Sequence, residues 1–170
     1  GVKFLVPRTL AASPGEDRLQ LELTRYEPTQ GSATAKHLLM IHGLAHGATV
    51  FSTHTTDGRN MAAAFVAQGY TVWLLDHRLS NRLGYAKQPH CIDDVARLDI
   101  PAAVKLVHRA TGQPVHVFAH CVGGAAFAMA TLSGLLNDAQ GRSLVQAAII
   151  HAVHPWVVPS ASNQLSGELA

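Results

Sequence analysis

The chain has 170 residues, of which 48% are hydrophobic and 14% are charged, a composition that fits one sizeable core and excludes a disordered chain. The formal net charge is only +2, and the basic residues are scattered, so no nucleic-acid partner is expected. The longest apolar runs have the length of strands and give no support for a membrane span. A single domain over residues 1–170 is the expectation.

Two cysteines, Cys91 and Cys121, are too few for a disulfide framework. They are expected to be free thiols in a reducing compartment, which places the protein in the cytoplasm. The sequence has eleven histidines, some of them closely spaced. The closest pairs are His42 with His46 and His151 with His154. Neither pair has acidic or cysteine partners in the pattern of a metal site, so no metal and no cofactor is predicted.

The first elements in chain order are strands. Residues 19–26 alternate strictly between apolar and polar, which predicts a strand with one buried face. The continuous apolar run 38–41 is typical of a parallel strand buried on both faces. Residues 45–59, rich in Gly, Thr and Ser, are expected to form a long loop after that strand.

A helix, a strand and a second helix follow. Asn60 is the expected N-cap of a helix that ends at Gly69, and residues 70–75 form the next buried strand. The second helix is expected to run from residue 93 or 94 to Gly112. Pro101 lies inside it and should kink or restart it.

The stretch 115–124 predicts a strand, a sharp turn and a helix. An apolar run ends at His120 and Cys121, and Gly123 and Gly124 then open an alanine-rich segment. Such a turn lifts the side chain at its apex, here Cys121, clear of the sheet. The helix is expected to end near residue 136, and 145–151 is the last predicted strand.

Strands that alternate with helices at this spacing make right-handed βαβ units, so the predicted class is α/β with a mostly parallel, doubly wound sheet. Sites in such sheets lie at the C-terminal ends of the strands. Asp76 is expected to anchor its own loop together with Arg78. The residues expected to converge at this edge are Gly43, Leu44, Asp76, His77, Arg78, His120, Cys121, His151 and His154.

These residues favour a nucleophilic site built on Cys121. A thiol in the first turn of a helix is favoured as the thiolate by the helix dipole. The backbone N–H groups of Leu44 and Val122 are candidates for an oxyanion hole, and His151 could complete a Cys-His dyad. His120 is expected to point away from the thiol. The alternative is that Cys121 is a small buried residue on a tight turn.

At these residues the chain resembles an α/β-hydrolase. The family's elbow pattern is Gly-x-Ser-x-Gly, and here Ala119 replaces the first glycine and Cys121 the serine, while His42-Gly43 matches the end of the family's oxyanion strand. The chain is similar, more narrowly, to hydrolase domains beside or fused to cholesterol-oxidase-like, FAD-dependent oxidoreductases of the GMC type. The match lies in residues 41–44, 69–78, 94–103 and 115–123. The cysteine elbow alone also resembles polyhydroxyalkanoate synthases.

The resemblance implies the first part of the hydrolase fold, without its last strands, its lid and the acid and histidine that follow the elbow. Asp138 and Glu168 are the acids after Cys121, and neither is expected to act as a triad acid. The domain is therefore expected to be incomplete, or to pair with another copy or with the rest of a longer chain.

The predicted function is hydrolysis of a small apolar acyl ester or thioester through an acyl-cysteine. Two alternatives stay open. One is an acyltransferase or polyester synthase, because a thioester passes its acyl group readily to thiols and alcohols. The other is a non-catalytic binding module that accompanies an oxidoreductase.

Overall fold

The computed structural model describes residues 3–4, 21–28, 36–53, 55, 59–84 and 89–153. In this part of the chain six strands form one sheet in the order β1-β2-β4-β3-β5-β6. The strands are β1 (Lys3–Phe4), β2 (Glu22–Tyr26), β3 (His37–Ile41), β4 (Thr71–Asp76), β5 (Val115–His120) and β6 (Val145–His151).

The β3, β4, β5 and β6 strands are parallel, and β1 and β2 add an antiparallel edge. The predicted mostly parallel α/β class is thus confirmed. The strand predicted over 19–26 is present from Glu22 onward, and residues 19–20 lie outside the described residues.

Helical segments connect the parallel strands. They are a short 3₁₀ helix (Ala48–Phe51) in the predicted long loop, α1 (Met61–Ala67), α2 (Ile92–Asp94), a π-helical turn (Val95–Asp99), α3 (Ile100–Thr111) and α4 (Val122–Leu132). The side chain of Asn60 accepts a hydrogen bond from Ala63 N–H at 2.7 Å, which confirms the predicted cap. Gly112 ends α3 with a φ of 68°.

The kink expected at Pro101 takes the form of the π-helical turn just before it. Proline has no N–H for the usual bond to the preceding turn, and the wider π turn takes up that irregularity while the helix continues.

The α4 helix ends at Leu132, four residues before the predicted position. Gly134 has a φ of 69°, and Leu135 N–H bonds back to the Ala130 carbonyl at 3.0 Å. This is the Schellman pattern of a helix end, so the glycine at position 134 was the stop signal that the prediction missed.

The sheet carries apolar layers on both faces. One face packs against α3 and α4 through side chains that include Leu39, Ile41, Leu75, Val117 and Ala119. The other face packs against the 3₁₀ helix and α1. All residues of β3 and β4 are buried, whereas residues 146–151 of β6 are exposed. Among the described residues no helix has both the length and the apolar character needed to cross a membrane.

Candidate active site

The turn between β5 and α4 has the conformation of a nucleophile elbow. Cys121 has φ 52° and ψ −125°, a region that residues with a side chain rarely occupy. Its N–H donates to the His151 carbonyl at 2.9 Å, and its own carbonyl accepts from Gly124 N–H at 2.8 Å. The predicted strand, turn and helix are therefore confirmed, with Cys121 at the apex and partly exposed.

The glycines around the elbow are required by close packing. A Cβ on Gly123 would lie 2.3 Å from the His42 carbonyl oxygen, and one on Gly124 would lie 2.6 Å from Cγ2 of Val153. A Cβ on Gly43 would lie 2.9 Å from Cβ of Cys121. The loop after β3 consequently packs directly against the elbow, because Gly43 and Gly123 have no side chains to hold the two segments apart.

Leu44 and Val122, the predicted oxyanion residues, lie on the two sides of this contact. The Leu44 carbonyl bonds to His46 Nδ1 at 2.8 Å, while among the described residues no backbone acceptor takes its N–H. Val122 is the first residue of α4, where an N–H has no partner within the helix. Among the described residues, therefore, neither N–H group has a backbone partner.

His151 reaches the site through the pairing of β5 with β6, in which it lies opposite His120. The Nδ1 atoms of the two imidazoles are 3.0 Å apart, and the rings stack with centroids 5.2 Å apart. Cδ2 of His120 lies 3.4 Å from the Cβ position of Gly43. The expectation that His120 points away from the thiol is therefore wrong. The turn at Cys121 brings the side chains of His120 and Cys121 to the same loop, the one after β3.

Burial, followed by the neighbouring His151 and His46, lowers the pKa of His120. His154 lies outside the described residues. Among those that are described, no group of three or more His, Cys, Asp or Glu side chains could hold a metal ion. The described residues at this edge bring together the Cys121 thiol and the imidazoles of His120 and His151.

A buried imidazole supports the loop after β3 from the protein interior. His42 is fully buried, and its Nδ1 lies 2.7 Å from the Gly43 carbonyl, to which it must donate. Its ring stacks on that of His77 at 3.8 Å. Burial and the neighbouring His77 lower the pKa of His42 to about 4, so this ring is neutral at pH 7 and acts as a fixed support.

Asp76 also holds this loop. Its Oδ1 accepts from Ala48 N–H at 2.7 Å and from the Ser80 hydroxyl at 2.6 Å. The expected partnership with Arg78 is wrong: Arg78 instead pairs with Asp99, with 2.8 Å from Nη2 to Oδ1. The carboxylate of Asp76 thus anchors its own loop, as expected, through the Ser80 hydroxyl, and it also holds the loop after β3 through Ala48 N–H.

The acids after the elbow lie away from Cys121 or outside the described residues. Asp138 follows the end of α4 and pairs with Arg142 at 2.8 Å. Glu168 lies outside the described residues. Sequence reasoning missed the contact between His120 and His151, although two predicted adjacent strands that each end in histidine carried the signal for it.

A parallel sheet with a strained strand-to-helix turn and an oxyanion-type loop defines the α/β-hydrolase fold. No protein-family model and no curated protein matches the sequence, but solved structures match the fold. A lipase from Bacillus licheniformis in mature form has a TM-score of 0.55 and 15% identity, over 75% of this chain and 45% of that one. Thermogutta terrifontis esterase 2 phosphonylated by sarin has a TM-score of 0.58 and 16% identity, over 94% and 63%.

An esterase from a Rhodococcus species gives a TM-score of 0.52 and 17% identity, over 85% of this chain and 44% of that one. This chain thus spans between 44% and 63% of the length of these three proteins. At identities this low, the matches show the fold alone: the chain has the α/β-hydrolase fold, in the part that contains the turn at Cys121 and the loop after β3.

Proposed function

We propose that the chain supplies the nucleophile and the oxyanion hole of an acyl hydrolase that cleaves ester or thioester bonds. The observation that carries the proposal is Cys121 itself, which is partly exposed at a positive φ between β5 and α4 and in contact with the Gly43 loop. Solved neighbours named as lipase and esterases support an acyl ester as the substrate class.

In the proposed reaction the Cys121 thiolate attacks the acyl carbonyl carbon, and the carbonyl electrons move onto its oxygen. The N–H groups of Leu44 and Val122 stabilise that oxyanion. Its collapse expels an alkoxide or thiolate, which takes a proton to become the alcohol or thiol, and leaves an acyl-cysteine. Water then attacks the thioester and releases the acid. An imidazole carries the proton, for which the sequence predicted His151 or a histidine outside this segment.

The surroundings of the elbow favour an apolar acyl group. Leu44 is 57% exposed and Val50 is 43% exposed, and both belong to the loop that follows β3. Apolar side chains exposed beside a reactive group lower their contact with water when an acyl chain covers them. A short aliphatic ester is therefore the first substrate to try.

The test uses the full chain in a Cys91→Ser background, so that Cys121 is the only thiol. A chromogenic butyrate ester should give a burst of alcohol release and a butyryl adduct on Cys121 by peptide mass spectrometry. Cys121→Ala should abolish both. The Cys91→Ser chain with Cys121 intact is the matched control. Acyl release that persists unchanged in Cys121→Ala would show that Cys121 is not the nucleophile.

The thiol at the apex also favours acyl transfer as a second candidate, because thioesters react readily with thiols and alcohols. Adding an acceptor thiol to the isolated acyl-enzyme separates the two activities. Rapid transfer that outruns hydrolysis identifies a transferase or a polyester-synthase-like activity. Absence of any adduct favours the binding module that accompanies an FAD-dependent oxidoreductase, an association that stays a prediction.

A further inference from the structure

Two histidine rings meet beside the elbow in a way that requires one proton between their Nδ1 atoms. The Nδ1 atoms of His120 and His151 are 3.0 Å apart, and the ring planes are 27° from parallel. A hydrogen bond between two imidazole nitrogens needs a proton on one and a lone pair on the other. The ring that donates from Nδ1, when neutral, has its Nε2 free to accept a proton.

The other edge of the His120 ring faces the space beside the thiol. Cδ2 of His120, which is bonded to Nε2, lies 3.4 Å from the point where a Cβ on Gly43 would stand. Sγ of Cys121 lies 3.5 Å from the same point. Because Gly43 has no side chain, the imidazole edge and the sulfur both lie close to the same backbone position.

We propose that His120 carries the proton of Cys121 and that His151 is a positioning residue that holds the His120 ring through the Nδ1 contact. The described residues then contain a Cys-His-His constellation of their own. Its use in acyl chemistry rests on the proposed function, whereas the pairing of thiol and imidazole does not.

The proton balance is simple. His120 donates from Nδ1–H to the lone pair of His151 Nδ1, and its Nε2 takes the proton from the Cys121 thiol. His120 becomes an imidazolium, and its bond to the neutral His151 becomes charge-assisted and stronger. In acyl transfer the same Nε2–H passes its proton to the leaving alkoxide or thiolate, and Nε2 then accepts one from water.

The neighbouring groups keep His120 ready to accept that proton. It is faced by His151 from β6, by His46 from the loop after β3 and by the Cys121 thiol. Burial and the two imidazoles lower its pKa, so the ring is neutral near pH 7. The His120 ring therefore starts the reaction in its basic form.

The experiment measures alkylation of Cys121 by iodoacetamide between about pH 5 and pH 9 in the Cys91→Ser chain, with adducts counted by mass spectrometry. His120→Gln should lower the rate near pH 7 by about tenfold, and His151→Gln should lower it by a smaller factor. His116→Gln is the matched control: it lies on the same strand, roughly 13 Å from His120, and should leave the rate unchanged.

A second measurement separates a proton carrier from a residue that only supports the fold. Free imidazole should restore part of the alkylation rate and of any ester turnover in His120→Ala, since a small base can enter the vacated space. A structural role would give no such rescue. Circular dichroism checks that each variant folds; if His120→Ala does not, the exposed His151 carries the test, and a His151→Gln rate equal to the parent overturns the proposal.

The outcomes distinguish this proposal from the proposed function. Alkylation that is unchanged in His120→Gln, together with ester turnover that needs Cys121, overturns the role of His120 and leaves the hydrolase standing. Alkylation that falls in His120→Gln, in a chain that turns over no ester, supports the pairing of His120 with Cys121 and removes the hydrolase.

Discussion

The backbone of Cys121 has φ 52° and ψ −125°, a conformation that costs a residue with a side chain about 1–3 kcal/mol. Glycine adopts it without steric cost but loses more chain entropy on folding. We therefore expect Cys121→Gly to have a free energy of unfolding about 1 kcal/mol higher than Cys121→Ala, which keeps the Cβ atom. Urea unfolding of the two variants measures the difference. Equal stabilities would show that the turn is not strained.

His42 makes the stability of the fold depend on pH. Its pKa is about 4 in the folded protein against a usual 6.5, because the ring is buried beside His77. Between these values the unfolded chain binds the proton and the folded chain does not. Stability is therefore fully present above about pH 6.5 and is lost as the pH falls toward 4, by about 3 kcal/mol.

Urea unfolding of the parent chain and of His42→Gln at about pH 7 and about pH 4 measures this contribution. The variant should lose less stability on acidification, because Gln does not titrate and the remaining buried groups are common to both chains. A loss of equal size in the two chains would assign the pH dependence to other residues, such as His77, whose pKa is also lowered by burial.

At the scale of elements, the approach of α4 to β3 depends on Gly123. A Cβ there would lie 2.3 Å from the His42 carbonyl oxygen and 2.8 Å from Cγ2 of Ile41. We expect Gly123→Ala to move the helix outward and to cost about 2–3 kcal/mol of unfolding free energy. Gly84→Ala is the matched control, because no described residue lies within 4 Å of its Cβ position. Similar unfolding curves for the two variants would contradict the close packing.

The elements that the sequence predicts best are those in which one local signal acts alone. The apolar run of β3 predicts a buried strand, and the glycines after Cys121 predict a turn into a helix. Both predictions are confirmed. The predicted orientation of His120 was wrong, because side chains stop alternating between the two faces of the strand at the turn. The predicted partner of Arg78 was wrong as well. Arg78 pairs with Asp99, which lies on another element, and no local sequence pattern brings the two together.

At the scale of the whole molecule, the strands of the sheet differ in their exposure to solvent. The candidate site lies between the buried strands and the exposed one. All of β3 and β4 is buried, while residues 146–151 of β6 are exposed. Cys121 follows β5, the strand between these regions, and His151 belongs to β6 itself. The proposed positioning residue His151 therefore lies on an exposed strand.

Replacement by threonine on the two sides of this boundary should have very different effects. Ile149 on β6 is 58% exposed, and Val117 on β5 is 2% exposed. In Val117→Thr a hydroxyl enters the core, with a cost of about 1–3 kcal/mol. Ile149→Thr exchanges one β-branched side chain for another at the surface, and we expect its unfolding free energy to change by less than about 0.5 kcal/mol.

Urea unfolding measures both changes, and the emission of a bound hydrophobic dye gives a second reading. The dye should bind less to Ile149→Thr than to the parent, because part of the exposed apolar surface is removed. Stability loss in Ile149→Thr as large as that in Val117→Thr would show that the outer face of β6 is covered in the folded protein in solution. In that case a second copy of the chain is the first partner to look for, and sedimentation velocity at several concentrations would detect it, because self-association depends on concentration.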